Sequence, residues 1–133
     1  MTFKAELRFN DSQNHYNVVE CDYEYTQEID QTLKPCAKPK SGIINVVIES
    51  MSDRELIQWM VAPGNVRSGD INLFKDDAPQ TKLKTLSFKE AICIRFHEKF
   101  TAFGETPMLT TISFVAKEMS LDGVSHTAQW TRF

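Results

Sequence analysis

A period of two runs through most of this chain, and it restricts the fold more than any other feature. Phe3, Ala5, Leu7 and Phe9 alternate with Lys4, Glu6, Arg8 and Asn10. Successive side chains of a strand point to opposite faces, so this pattern gathers the apolar groups on one side of a half-buried β-strand. The turn-rich DSQNH follows. YNVVECDYEY then predicts a second strand, with Val19, Cys21, Tyr23 and Tyr25 on one face and Glu20, Asp22 and Glu24 on the other. Strands one and two form a hairpin. After a long polar interruption, IINVVIES offers Ile44, Val46 and Ile48 to a core. GDINLFK, KLKTLSF, AICIRFHEKF and PMLTTISFVAKEM are further candidates, with a weaker one in SHTAQWTRF. Roughly seven or eight strands are expected.

One segment departs from this period. SDRELIQWMVAPG opens with Ser52 and carries Glu55 three residues on, the capping-box spacing in which each side chain satisfies the other's backbone donor. Leu56, Ile57, Met60 and Val61 recur at helical spacing, and Pro63-Gly64 ends the run. The reading is a short amphipathic helix packed on a β core. Many antiparallel strands plus one helix indicate a mainly β fold, a two-sheet β-barrel or sandwich, and barrel closure has the advantage of removing exposed strand edges.

At 133 residues the chain is expected to be a single domain, residues 1–133, with one core. The formal net charge of -3 provides no broad positive field, which argues against nucleic acid as the main partner. No apolar run approaches the roughly 18 to 20 residues of a membrane helix, and MTFKAELRF alternates where a signal peptide would be continuously apolar. Neither membrane insertion nor a cleaved leader is expected, and the chain reads as cytoplasmic. Cys21, Cys36 and Cys93 are odd in number and lack C-x-x-C pairing, so reduced thiols are expected.

A search for chemistry yields no catalytic residue, no metal site and no cofactor motif. His15, His97 and His126 form no H-x-H or H-x-x-x-H pair. His97 and Glu98 are neighbours on a strand and so point to opposite faces, which prevents them from converging on one atom. Asp76-Asp77 precedes Ala78-Pro79 and reads as turn chemistry. Cys93, between Ile92 and Ile94, reads as a strand thiol. No nucleophile elbow or phosphate loop is present.

The conspicuous element is the interruption QEIDQTLKPCAKPKSG, Gln27 to Gly42. Unstructured connections beyond about 12 to 15 residues are uncommon in compact domains unless they are functional or disordered. Pro35 and Pro39 favour extended backbone around them. Lys34, Lys38 and Lys40 occur in its second half without an acid, whereas Glu20, Asp22, Glu24, Glu28 and Asp30 precede them. A solvated loop beside a solvated acidic strand accounts for this pattern. So does a projecting arm whose basic tip meets an acidic surface on another copy of the chain.

These residues also carry a family resemblance. ECDYEY, Q-x-I-D, K-P-x-A-x-P-K-x-G, IIN-x-x-IES, the helix with W-M, LK-x-L-x-F-x-x-A, H-E-x-F and PMLTTI-x-F, taken in order, resemble the haemolysin-coregulated protein (Hcp, TssD) family of type VI secretion tube proteins, in its Bacteroidetes-like form. The resemblance spans nearly the whole chain. Ser41-Gly42 stands where that family has a glycine pair, and Cys36 where it has a small hydroxyl residue. The resemblance implies a barrel of two β-sheets with a helix alongside, in homo-hexameric rings that stack into a hollow tube. It further implies a contractile sheath that drives the tube out of the cell, a spike protein at its tip and effector proteins carried inside. The matching candidate for a ring-stacking arm comprises Gln27, Glu28, Asp30, Lys34, Pro35, Lys38, Pro39, Lys40 and Gly42, with Glu20, Asp22 and Glu24 as a candidate acidic partner surface. A phage or related contractile-particle tail tube, and a monomeric barrel that binds a small ligand, are the alternative readings.

Overall fold

The computed structural model describes residues 3–26, 40–52, 54–62, 64–75, 78–104 and 108–127. Its elements in chain order are β1 (Phe3–Phe9), β2 (His15–Asp22), β3 (Tyr25–Thr26), β4 (Lys40–Ser41), β5 (Ile44–Glu49), α1 (Glu55–Val61), β6 (Arg67–Lys75), β7 (Ala78–Phe100), β8 (Met108–Leu121) and β9 (Val124–Thr127). Six of these strands run β5-β2-β1-β6-β7-β8, and a further pairing of β5 with β8 closes them into a barrel. The paired neighbours are antiparallel throughout. β5 takes the first half of β8, from Leu109 to Phe114, while β9 pairs with its far end, from Glu118 to Leu121. The barrel with one helix that the period-two pattern predicts is therefore the fold observed.

Inward-facing residues follow the expected alternation where the strands are regular. Leu7, Tyr16, Ile44, Val46, Ile48, Ile112 and Phe114 are fully buried. Phe9 stands at the centre of the aromatic core, edge-on to Trp59 at 5.3 Å, Phe88 at 6.0 Å and Tyr16 at 6.1 Å between ring centroids. Edge-to-face pairs of this kind add favourable electrostatics to simple burial.

Three expectations are corrected. In β2, the face assigned to Val19, Cys21, Tyr23 and Tyr25 is out of phase at its start, because a bulge shifts the register between Val18 and Glu20 against β5. Tyr16 is buried and Val18 half-buried, while Val19 is 51% exposed; Tyr23 alone of the four packs against the core. An extra residue in one strand shifts every later side chain by one position, which alternation cannot anticipate.

KLKTLSF and AICIRFHEKF are one strand, not two. β7 continues through Glu90, which adopts a left-handed φ of 51° where the register against β6 shifts. Leu86 and Phe88 point inward before this bulge, Ala91 and Cys93 after it, so the inward parity switches from even to odd numbers.

The capping box does not form. The helix begins at Glu55, so Arg54 rather than Ser52 occupies the N-cap position, without a side-chain cap hydrogen bond, and Glu55 falls at the first helical position rather than the third. Of the helix's apolar stripe, Leu56 is buried and Met60 packs on the core, but Ile57 and Val61 are 39% and 66% exposed, and Trp59 takes the inward position instead.

Candidate functional site

The arm candidate is described at its root. Gln27, Glu28, Asp30, Lys34, Pro35, Lys38 and Pro39 lie outside the described residues, as do Cys36, Asp76 and Asp77. On either side of them, β3 and β4 pair antiparallel, Tyr25 with Ser41 and Thr26 with Lys40. The Gly42 N–H donates to the Glu24 carbonyl at 2.9 Å, continuing the ladder by one bond. Both ends of the arm are thus clamped together in a two-stranded root. The root is tied to the barrel through Tyr25, whose hydroxyl donates to the Met119 carbonyl at 3.5 Å, and through Tyr23 on the core.

Of the candidate acidic surface, Glu20, Asp22 and Glu24 are all exposed. Asp22 accepts from Asn45 Nδ2 at 2.9 Å, and Asn45 Oδ1 in turn accepts from Ser113 at 2.6 Å. β2 ends at Asp22, so Glu24 lies beyond the strand, beside the arm's own root.

Between this acidic strand end and β1, β6 and β7, the barrel mouth opens into a cavity of about 410 Å³. Ala5, Val18, Tyr23, Ile71, Leu73 and Leu86 line it, and the exposed Glu20 and Lys84 border it. Cys21 lines the same space; although the residue is exposed, desolvation by the surrounding walls first, and then the Asp22 carboxylate, push its thiol up to about 11. Burial likewise raises the Cys93 thiol against the opposing effect of its bond to the Arg95 carbonyl. Neither thiol is disposed to ionise near neutral pH.

A second polar cluster, missed by the sequence reading, fixes the helix to the other end of the barrel. Arg67 is 8% exposed, and its guanidinium carbon lies 3.8 Å from the centroid of the Phe9 ring. Its Nη2 donates to Asp11 Oδ1 at 2.8 Å and to Glu55 Oε2 at 3.2 Å. Glu55 also accepts from Ser12 Oγ at 2.6 Å, Asn14 Nδ2 at 3.0 Å and the Tyr16 hydroxyl at 3.3 Å. The Trp59 indole N–H, shared between the Asn65 and Ala91 carbonyls at 3.1 Å each, completes the attachment. Since the partners are distributed over the β1–β2 turn, the helix and β6, only the tertiary fold assembles them.

The histidines stay apart. His15 Nδ1 pairs with the Glu6 carboxylate, His97 is exposed on β7, and His126 belongs to β9. Glu98 accepts from Thr110 at 3.3 Å. Among the described residues no three His, Cys, Asp or Glu side chains gather to hold a metal ion, and no helix is long and apolar enough to cross a membrane.

A profile of the family described as hemolysin coregulated protein Hcp (TssD) matches residues 1–131. The chain belongs to the Hcp (TssD) family. Among solved structures, Hcp1 from Flavobacterium johnsoniae is 26% identical over 94% of this chain and 99% of its own, with a TM-score of 0.84. Hcp1 from Salmonella typhimurium shares the fold at 13% identity, covering 96% of this chain and 93% of that one, with a TM-score of 0.72. A chain of the anti-feeding prophage (AFP) baseplate shares it at 14% identity, covering 92% and 93%, with a TM-score of 0.55. No curated protein matches the chain closely enough to be counted a relative. This Hcp chain is a structural tube subunit of a type VI secretion system.

Proposed function

We propose that six copies of this chain close into a ring through two different patches meeting around a closed rotation, and that rings stack into a hollow tube. Gln27 to Gly42 acts as the stacking arm, with Lys34, Lys38 and Lys40 directed to Glu20, Asp22 and Glu24 of a neighbour. The observation that best supports this reading is the β3–β4 root, which brings both ends of the arm together beside the acidic end of β2. Contractile sheath, spike protein and effector proteins are its partners in the assembled machine. The chain resides in the cytoplasm until contraction exports it. Its role is to build and to carry; it has no turnover of its own, binds no cofactor and requires neither nucleic acid nor a membrane. Negative-stain microscopy and native mass spectrometry at micromolar concentration test the ring: six-membered rings are expected, and a protein that stays monomeric overturns it.

The likeness in fold to a baseplate chain of a phage-like particle favours, as a second reading, the tube of a contractile particle outside secretion. Neighbouring genes separate the two, since an unfoldase beside sheath and spike genes accompanies secretion. A monomer in light scattering would instead favour the small-ligand barrel.

A further inference from the structure

Resting on the tube reading above, we propose that the end of the β7–β8 hairpin of one copy, carrying Phe100 and Phe103, seats in the barrel-mouth cavity of a second copy and so joins one ring to the next. The cavity is an opening in the barrel wall. β1 and β2 pair from Arg8 with His15 as far as Ala5 with Val18. Beyond that point Phe3 and Lys4 pair with β6, while Glu20, Cys21 and Asp22 pair with β5. The two strands diverge after the bulge, and Ala5, Val18, Ile71, Leu73 and Leu86 line the resulting space of about 410 Å³. Phe3 and Val19, each 51% exposed, line it too, with Lys84 as the single base among its lining residues. An apolar space open to water is stabilised by an apolar group that fills it, in proportion to the area covered.

The opposite end of the barrel carries a matching projection. The last β7–β8 pair, Phe100 with Met108, lies past Leu109, where the pairing of β5 with β8 stops. Phe103 is 87% exposed, the highest value for a large apolar residue among the described residues; Phe100 is 73% exposed and Met108 38%. Single exposed apolar residues are ordinary, but two phenylalanines and a methionine at one hairpin end form a patch. Covering two phenylalanine side chains buries about 300 to 500 Å². That is a large part of the roughly 800 Å² per partner of a stable contact. Glu98 is exposed and stands two residues before Phe100, on the same face of β7. This acid complements Lys84 at the cavity.

The geometry of β7 requires the occupant to come from another copy. Leu86 in the cavity wall and Phe100 at the hairpin end belong to this one strand. The stretch between them, at about 3.3 Å per residue, spans on the order of 40 Å. A paired strand cannot fold back on itself, so the hairpin end of a copy does not reach its own cavity. The contact joins opposite ends of two copies, and a heterologous contact of this kind propagates as an open stack.

Disulfide trapping tests this, because Cys21 lines the cavity and Cys93 is buried. One preparation carries Cys36→Ser and keeps Cys21; the other carries Cys21→Ser, Cys36→Ser and Phe103→Cys. Rings of each are formed separately, mixed at tube-forming concentration and oxidised with diamide, which takes two hydrogens from a thiol pair as the disulfide forms. A mixed dimer, at least ten-fold more abundant than in the same mixture unfolded in urea, is expected. Tubes by microscopy without the mixed dimer overturn the hairpin contact and leave the tube standing, whereas neither tubes nor dimer overturns both. A mixed dimer equally abundant at dilutions where rings stay unstacked also overturns the proposal. Phe100→Asp combined with Phe103→Asp alters only exposed side chains. It is expected to keep rings and to raise the concentration needed for tubes at least ten-fold; tubes at the parent's concentration count against the proposal.

Discussion

Arg67 Nη2 donates to Glu55 Oε2 at 3.2 Å, joining the first residue of β6 to the first residue of the only helix among the described residues. The same guanidinium covers the Phe9 ring, so the charge that holds the helix also seals the aromatic core. A seven-residue helix is too short to be stable by itself, and its position depends on such tertiary contacts.

Glu55→Ala removes the acceptor of four side-chain donors, leaving Arg67 with only the exposed Asp11 carboxylate. A fully buried pair costs about 3 to 5 kcal/mol to break; partial exposure of Glu55 reduces this to about 2 kcal/mol. Urea denaturation is the measurement, and an unchanged midpoint would show that the cluster contributes nothing.

Stability at acid pH follows from the same carboxylates. The hydrogen bond from Arg67 outweighs burial at Asp11 and lowers its pKa. At Glu55 burial alone would raise the pKa, but the hydrogen bonds from Ser12 and Arg67, the Arg67 charge and the Tyr16 hydroxyl together lower it. A folded-state pKa below the unfolded value means that the unfolded chain binds protons first. The contribution is complete above about pH 5 and is lost as pH falls through the unfolded range near 4 and then the folded values. Unfolding free energy measured from pH 6 to 3 should decline more steeply in the parent than in Arg67→Met.

Gly69 marks a close approach of β6 to β1. A Cβ placed there would come within 2.1 Å of the Arg8 carbonyl oxygen, a backbone atom that cannot swing away. Gly69→Ala is expected to destabilise by about 2 kcal/mol or more through forced separation of the strands. Thermal unfolding measures it, and a Tm within 1 °C of the parent, about the precision of the method, contradicts the close approach.

Reversing Lys34, Lys38 and Lys40 together to glutamate is expected to leave the barrel folded and the ring intact while shortening tubes and reducing secretion. Single exposed pairs contribute about 0 to 1 kcal/mol, so one lysine alone changes little. High salt weakens parent stacking in the same direction by screening. Sedimentation at matched concentration compares them, and equal tube lengths reduce the arm to a solvated loop.

Much of the barrel was legible. β1 and β5 have the predicted bounds and inward faces to within a residue, because both are regular and one face of each is buried. The β8–β9 turn carried a signal left unused: Asp122-Gly123 is a two-residue hairpin signature, and both residues adopt left-handed φ, 49° and 89°. The candidate site was legible only as a position in the chain. Alternation marked where the interruption begins, after Thr26, but not its end, because Lys40 and Ser41 pair as β4 inside the expected Gln27 to Gly42, nor the cavity, whose walls come from β1, β2, β6 and β7.

Local pattern alone determined the strand-rich class, the one short helix among the described residues and the place of the long interruption after β3, because side-chain period and proline chemistry act between residues close in sequence. Tertiary structure decided the rest. Bulges at Val18 to Glu20 and at Glu90 set which residues face inward beyond them. Glu55, expected as a capping residue, accepts from Arg67, 12 residues away, and from Ser12, 43 residues away. Such choices depend on which groups closure of the barrel brings within hydrogen-bond distance, and no local window of the chain contains both partners.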